Sequence, residues 1–220
     1  MTVLRWKAYA ETFLKAFLAG TAIGVGGTVY LSIENKLLGA FLFAIGLFII
    51  FSFGFNLYTG KIGYLITSPP RFLVDLVFIW LGNLLGACFV GVSLCLTRVG
   101  DKLSLYARAL CETKLADAPL SIVVLSFFCG LLMYIAAENY KSGKSPLQQH
   151  LAVFLPVMVF ILSGFEHCVA NMYYFSVAGL WSPKAFGYMG LMTLGNSLGA
   201  FLIPLVQKLC ALCADRSDKA

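Results

Sequence analysis

Charge is what this chain has least of. Asp, Glu, Lys and Arg make up 12% of its 220 residues, where a soluble domain carries about 25%. With 60% hydrophobic residues and a mean hydropathy of +0.87, an ordinary soluble domain is excluded and an integral membrane protein is implied. The 16 basic residues outnumber the 10 acidic ones. They are scattered through short loops and ends, so the net charge of +6 does not imply a nucleic-acid partner. Histidine is scarcer still, with two in the chain. No metal constellation is expected, because Cys210 and Cys213 form a lone CxxC with neither a second pair nor a nearby histidine. The seven cysteines are odd in number and mostly lie in apolar segments, which points to reduced, packed thiols. The N-terminus has no small-residue cleavage site, and Glu11 and Lys15 interrupt its first apolar stretch, so no removed leader is expected.

What is present is length of apolar sequence. A span needs about 20 apolar residues. Six regions qualify: 9–33, 37–58, 71–97, 119–138, 148–179 and 187–210. Six spans put both termini on one side of the bilayer. Nine basic residues fall on that side, namely Arg5, Lys7, Lys61, Arg71, Lys141, Lys144, Lys208, Arg216 and Lys219. Six fall on the other: Lys36, Arg98, Lys102, Arg108, Lys114 and Lys184. The excess predicts cytoplasmic termini.

The chain also contains a near-copy of itself. Trp80-Leu81-Gly82-Asn83-Leu84-Leu85-Gly86-Ala87 recurs as Thr193-Leu194-Gly195-Asn196-Ser197-Leu198-Gly199-Ala200. A polar Asn between glycines, used twice in hydrocarbon, suggests one duplicated unit. The expected organisation is a single membrane domain over 1–220 with half-repeats at approximately 1–104 and 105–220. Three spans per half, an odd number, make the two copies inverted. Two regions read as broken helices, second of three in each half. Asn56-Leu57-Tyr58-Thr59-Gly60-Lys61-Ile62-Gly63 interrupts the first, and Ser163-Gly164-Phe165-Glu166-His167 the second. Broken helices at matching places point to a solute site near the bilayer midplane.

His167 is the sharpest candidate residue. An ionisable group inside a membrane segment is costly and marks a function; His150, the other histidine, falls at the edge of a span. A hydrogen-bonded packing histidine is the bland alternative. Glu166 projects about 100° away on a helix, so it is expected to accept a hydrogen bond from protein and anchor the break. Thr59 occupies the matching break and offers a hydroxyl without permanent charge. Lys15 and Lys114 read as a symmetric pair that would form a positive funnel at each mouth, with Glu11 at ion-pair spacing from Lys15. Asn83 and Asn196 are expected to tie down the broken backbone, while their flanking glycines and alanines permit close helix approach.

At these residues the sequence resembles the formate/nitrite transporter family, through Gly164-Phe165-Glu166-His167-Cys168-Val169-Ala170-Asn171-Met172, Leu57-Tyr58-Thr59-Gly60 and Leu194-Gly195-Asn196. The resemblance implies an all-α membrane protein, six transmembrane helices in a 3+3 inverted repeat with an aquaporin-like fold. It further implies a homopentamer in the cytoplasmic (inner) membrane that passes small monovalent anions: formate first, nitrite, or hydrosulfide or bicarbonate as alternatives. By resemblance His167 is the central pore histidine, Thr59 the threonine of the first broken-helix loop, and Lys15 and Lys114 the vestibule lysines. Phe43, Leu47 and Phe160 fall where the family narrows its pore. Tyr58, where Phe is frequent, and Lys61 directly after the Thr-Gly step depart from the family pattern. No cofactor is implied. The expected mechanism has lysines gather the anion, desolvation raise its pKa, and a proton from water or by way of His167 let it cross as neutral acid. Rival classes fare worse. Channels for water or glycerol carry Asn-Pro-Ala at two helix ends, a motif absent from this chain, and an embedded enzyme needs more than one Glu-His step.

Overall fold

In the computed structural model, residues 3–217 are described, with side chains from 6 to 214. Lys219 therefore lies outside the described residues, as do the side chains of Arg5 and Arg216. The described residues form ten α-helices, one 3-10 turn and no strand. The first half runs α1 (Val3–Ser32), α2 (Lys36–Phe43), α3 (Ile45–Phe53), α4 (Tyr58–Lys61) with the 3-10 turn Ile62–Ile66, and α5 (Phe72–Cys95). A connecting helix α6 (Gly100–Ala116) follows. The second half runs α7 (Pro119–Ser142), α8 (Pro146–Leu162), α9 (Cys168–Ala178) and α10 (Pro183–Ser217).

Start signals in the sequence explain several of these elements. Asn35 and Ser145 cap α2 and α8, each accepting from a backbone N–H three residues on. Proline opens α7 and α8, where its missing N–H is harmless. Five helices are long and apolar enough to cross a membrane: Trp6–Ser32, Lys36–Phe53, Phe72–Cys95, Pro119–Ser142 and Pro183–Ala214. The region expected as a sixth span, 148–179, is split. Pro146–Leu162 has 17 residues, and the chain resumes as α9 after the break. Two departures from expectation concern local breaks and connectors. Ala44 separates α2 from α3, and the charged stretch between the halves is a 17-residue helix that runs through the expected division at 104/105. Alternating charge and apolar residues let α6 bury Leu103, Ala107 and Cys111 while its polar face stays outside.

The duplication is visible atom by atom. Gly54 and Gly164 end α3 and α8 with φ of 66° and 69°, the left-handed region that only glycine enters freely. Phe55 N–H donates to Ile50 O at 2.8 Å, and Phe165 N–H to Phe160 O at 2.9 Å. Asn56 N–H reaches Lys15 O and Glu166 N–H reaches Leu125 O. One constant offset relates all these pairs, and a slightly larger one relates α5 to α10. Gly86 sits so close to Phe17 O, and Gly199 to Phe127 O, that a Cβ on either glycine would overlap the carbonyl. The helix pairs α1–α5 and α7–α10 can therefore approach backbone to backbone, as membrane helices do where no hydrophobic force draws them together. The halves meet where Trp80 Nε1–H donates to Thr193 Oγ1 at 3.1 Å, and these two residues are the first positions of the two motif copies.

Candidate functional site

Each chain break needs partners for the backbone groups it frees, because hydrocarbon offers none. The two motif asparagines supply them in the same way. Asn83 Oδ1 accepts from Tyr58 N–H at 2.8 Å, while its Nδ2 donates to Ala16 O at 2.8 Å and Asn56 O at 2.9 Å. Asn196 Oδ1 accepts from Cys168 N–H at 2.9 Å, and its Nδ2 donates to Ser126 O and Glu166 O, both at 2.8 Å. Both asparagines are fully buried. Each one holds a helix to the break and fixes where the following helix begins.

Those beginnings bring Thr59 and His167 together. Thr59 lies one residue into α4 and His167 is the N-cap of α9. Thr59 Oγ1 and His167 Nε2 are 2.9 Å apart, and both residues are buried. The tautomer follows from the helix cap. Ala170 N–H donates to His167 Nδ1 at 3.1 Å, so Nδ1 carries no proton and a neutral ring carries it on Nε2. The ring then donates to Thr59 Oγ1. The Thr59 hydroxyl proton has no acceptor among the described residues, which leaves it available to a solute.

An aromatic wall flanks this pair. Phe160 stacks on the His167 ring with centroids 5.5 Å apart, and Phe43 meets Phe160 edge-on at 5.8 Å. Phe43, Leu47 and Phe160 are all buried in the same core. The structure thus groups His167, Thr59, Phe43 and Phe160 directly, with Leu47 one helical turn from Phe43.

One cavity touches the group, and a second ends at Leu57 and Gly60, on either side of Tyr58-Thr59 in the chain. One, of about 120 Å³, is lined by Phe160, Gly164, His167, Asn171, Tyr174 and Lys114, among others. The other, of about 510 Å³, is lined by Ile50, Gly54, Leu57, Lys61, Tyr64 and Lys141, among others. The first five of these linings are counterparts under the repeat, so the two cavities are copies of one vestibule. Their chemistry has diverged. Leu57 stands at the position of His167, Asn56 at that of Glu166, and Lys61 at that of Asn171.

In the second vestibule charge is neutralised within the protein. Lys114 Nζ donates to Glu166 Oε1 at 2.8 Å and to Oε2 at 2.6 Å, and Asn171 Nδ2 donates to Oε2 at 2.7 Å. Glu166 thus lines the cavity with both carboxylate oxygens anchored by its neighbours. Lys15 is placed differently. Its ammonium pairs with Glu11 at 2.6 Å on an exposed stretch of α1, and it lines neither vestibule. The expected equivalence of Lys15 and Lys114 fails: the counterpart of Lys15 is Leu125, and Lys114 belongs to the connecting helix α6, outside the repeat. Sequence reasoning also missed Lys141, Tyr64 and Leu57 as vestibule residues. The signal that finds Tyr64 and Leu57 is the constant offset between Gly54 and Gly164, which the motif copies, spaced differently, conceal; Lys141 has no such signal.

Residues 5–209 match the family described as formate/nitrite transporter. Formate channel FocB of Escherichia coli (strain K12) is 26% identical over 186 residues, spanning 76% of this chain and 66% of that protein. Formate channel FocA of Haemophilus influenzae is 23% identical over 183 residues, 74% of this chain and 64% of its own length. The matched stretch thus covers just under two thirds of each channel. Among solved structures, a pentameric formate channel with formate bound superposes with a TM-score of 0.79 at 24% identity, covering 94% of this chain and 98% of that one. This last likeness establishes the fold.

Proposed function

The chain belongs to the formate/nitrite transporter family, whose members are transporters and not enzymes, and from that premise we propose that it is a channel for small monovalent anions, formate foremost and nitrite also, that cross as neutral acids. The observation that carries the proposal is the buried Thr59–His167 hydrogen bond, with one vestibule lined by His167 and the other by Leu57 and Gly60 beside Thr59 in the chain. Hydrosulfide and bicarbonate share the relevant chemistry, a single charge that one proton removes. Relatives named for formate put formate first. The unit of function is the whole of 1–220 as one channel domain. Its assembly is a homopentamer like the structural neighbour, in the cytoplasmic membrane with both termini inside.

The mechanism follows from the difficulty of moving charge through an apolar wall. An isolated carboxylate is strongly disfavoured in a low-dielectric passage and is neutralised instead. Between Phe43, Leu47, Phe160 and Leu57 the anion loses water and its pKa rises, so it takes a proton. That proton comes from water. His167 Nε2 already carries its proton and Nδ1 is occupied by the Ala170 N–H, so the neutral ring has none to release short of an imidazolate. Its role is to orient Thr59, whose hydroxyl proton points at the solute and stabilises the partly desolvated anion before it is neutralised. The positive N-terminal end of the eleven-residue α9 acts in the same sense. Lys15, half exposed and paired with Glu11, adds at most a small surface attraction.

Proteoliposomes containing the purified protein test this. Formate, nitrite, hydrosulfide and bicarbonate uptake at two pH values is measured for wild type and His167→Ala. Formate uptake faster at the lower pH and a loss of about tenfold or more in the variant are expected, given what an unsatisfied buried hydroxyl forfeits. Unchanged formate flux and pH dependence in His167→Ala would remove the central role of the ring.

A further inference from the structure

The two vestibules are lined by counterpart residues, yet only one holds lysines with no carboxylate in contact among the described residues. In the second, Lys114 is held by Glu166. In the first, Lys61 and Lys141 both line the cavity, and neither has a carboxylate within 4.0 Å among the described residues. Unlike residues at counterpart positions produce this difference: the carboxylate position is Asn56, and the neutral Asn171 position is Lys61. Lys141 is exposed at the cavity mouth, and its ammonium lies 5.0 Å from the centroid of the Tyr64 ring, which holds it over the cavity wall. One acid faces the region. Glu138 accepts from Tyr64 Oη–H at 2.9 Å; it keeps its charge, but it makes no direct ion pair with either ammonium group. Lys15, the other cation nearby, is taken by Glu11.

We propose that this vestibule binds an oxyanion carrying two or more negative charges, held between Lys61 and Lys141, and that the bound ion blocks the passage at Leu57. The cavity of about 510 Å³ exceeds what a three-heavy-atom anion fills. It is lined by two ammonium groups, with the hydroxyls of Thr67 and Ser68 at its rim. A multivalent oxyanion satisfies both lysines at once through charge-assisted hydrogen bonds. It cannot follow formate inward, because one proton leaves it charged and the wall at Leu57 and Phe43 excludes charge. The site therefore discriminates by valence: monovalent acids pass, multivalent ones lodge. The blocking half of the proposal rests on the channel reading above; the binding half does not.

Two readouts separate the halves. Isothermal titration of citrate and of inorganic phosphate into detergent-purified protein reads binding alone. Formate flux in phosphatidylcholine vesicles, free of anionic lipid headgroups, with citrate on one face at a time, reads block. Expected are binding, inhibition from one face only, and a loss of about tenfold in citrate affinity for each of Lys61→Gln and Lys141→Gln. Chloride at equal ionic strength should not inhibit. Absence of citrate and phosphate binding, or equal affinity in both variants, overturns the site. Binding without block in vesicles that conduct formate overturns the plug. Vesicles that conduct no formate refute the channel reading, and calorimetry then decides the site by itself.

Discussion

Thr59 and His167 share one hydrogen bond, and each has a second obligation that sets its direction. The Ala170 N–H fixes the ring as a donor, so the threonine hydroxyl faces outward with a free proton. Thr59→Val keeps the shape but leaves Nε2–H unsatisfied and removes the donor. Formate flux in liposomes should fall about ten- to a hundredfold, while Thr59→Ser should retain most of it. The ion pair beside the ring makes a different prediction. Glu166 and Lys114 side chains are 6% and 15% exposed, so removing one partner strands a buried charge. Lys114→Met should lower folding stability by about 3–5 kcal/mol. The double variant with Glu166→Gln should recover much of that loss in a thermal unfolding assay, and an equal loss in both proteins would argue against the pairing. At this scale His167, Thr59 and Glu166 were legible in the sequence because ionisable or polar groups stand out against hydrocarbon. The partner of Lys114 was not, because 52 residues separate it from Glu166 and nothing local predicts the meeting.

At the scale of elements, helix contacts this close tolerate no side chain. Gly199 on α10 abuts Phe127 O on α7, and a Cβ there would overlap it. Gly199→Val should cost about 3 kcal/mol or more and abolish recovery of folded protein from membranes. Gly187, on the same helix with nothing within 4 Å of an added Cβ, should accept alanine with a gain of up to about 1 kcal/mol. Size-exclusion profiles after extraction distinguish the two, and a well-folded Gly199→Val would refute the close approach. The Gly-Asn motifs and both broken helices could be read from the sequence, since glycine and asparagine have few other uses in apolar runs. Helix α6 could not: its charges resemble a loop, and its helical fate depends on burying Leu103, Ala107 and Cys111 against the rest of the protein.

For the molecule as a whole, crossing as neutral acid means crossing without current. Formate uptake driven by a concentration gradient should be unchanged when a potassium diffusion potential of either sign is imposed. A formate current recorded across a planar bilayer would show that the ion passes bare. Composition made the membrane setting plain. The unlike character of the two vestibules was hidden, because it lies in three substitutions between counterpart positions that only the folded backbone aligns.

The contact between Trp80 and Thr193 has a consequence for how the two copies are joined. Equivalent positions of the two motif copies meet side chain to side chain there, so a substitution at either residue loosens α5 and α10 together. Asn56 against Glu166, Leu57 against His167 and Lys61 against Asn171 are, by contrast, counterpart positions that do not meet, and there the two mouths are free to differ.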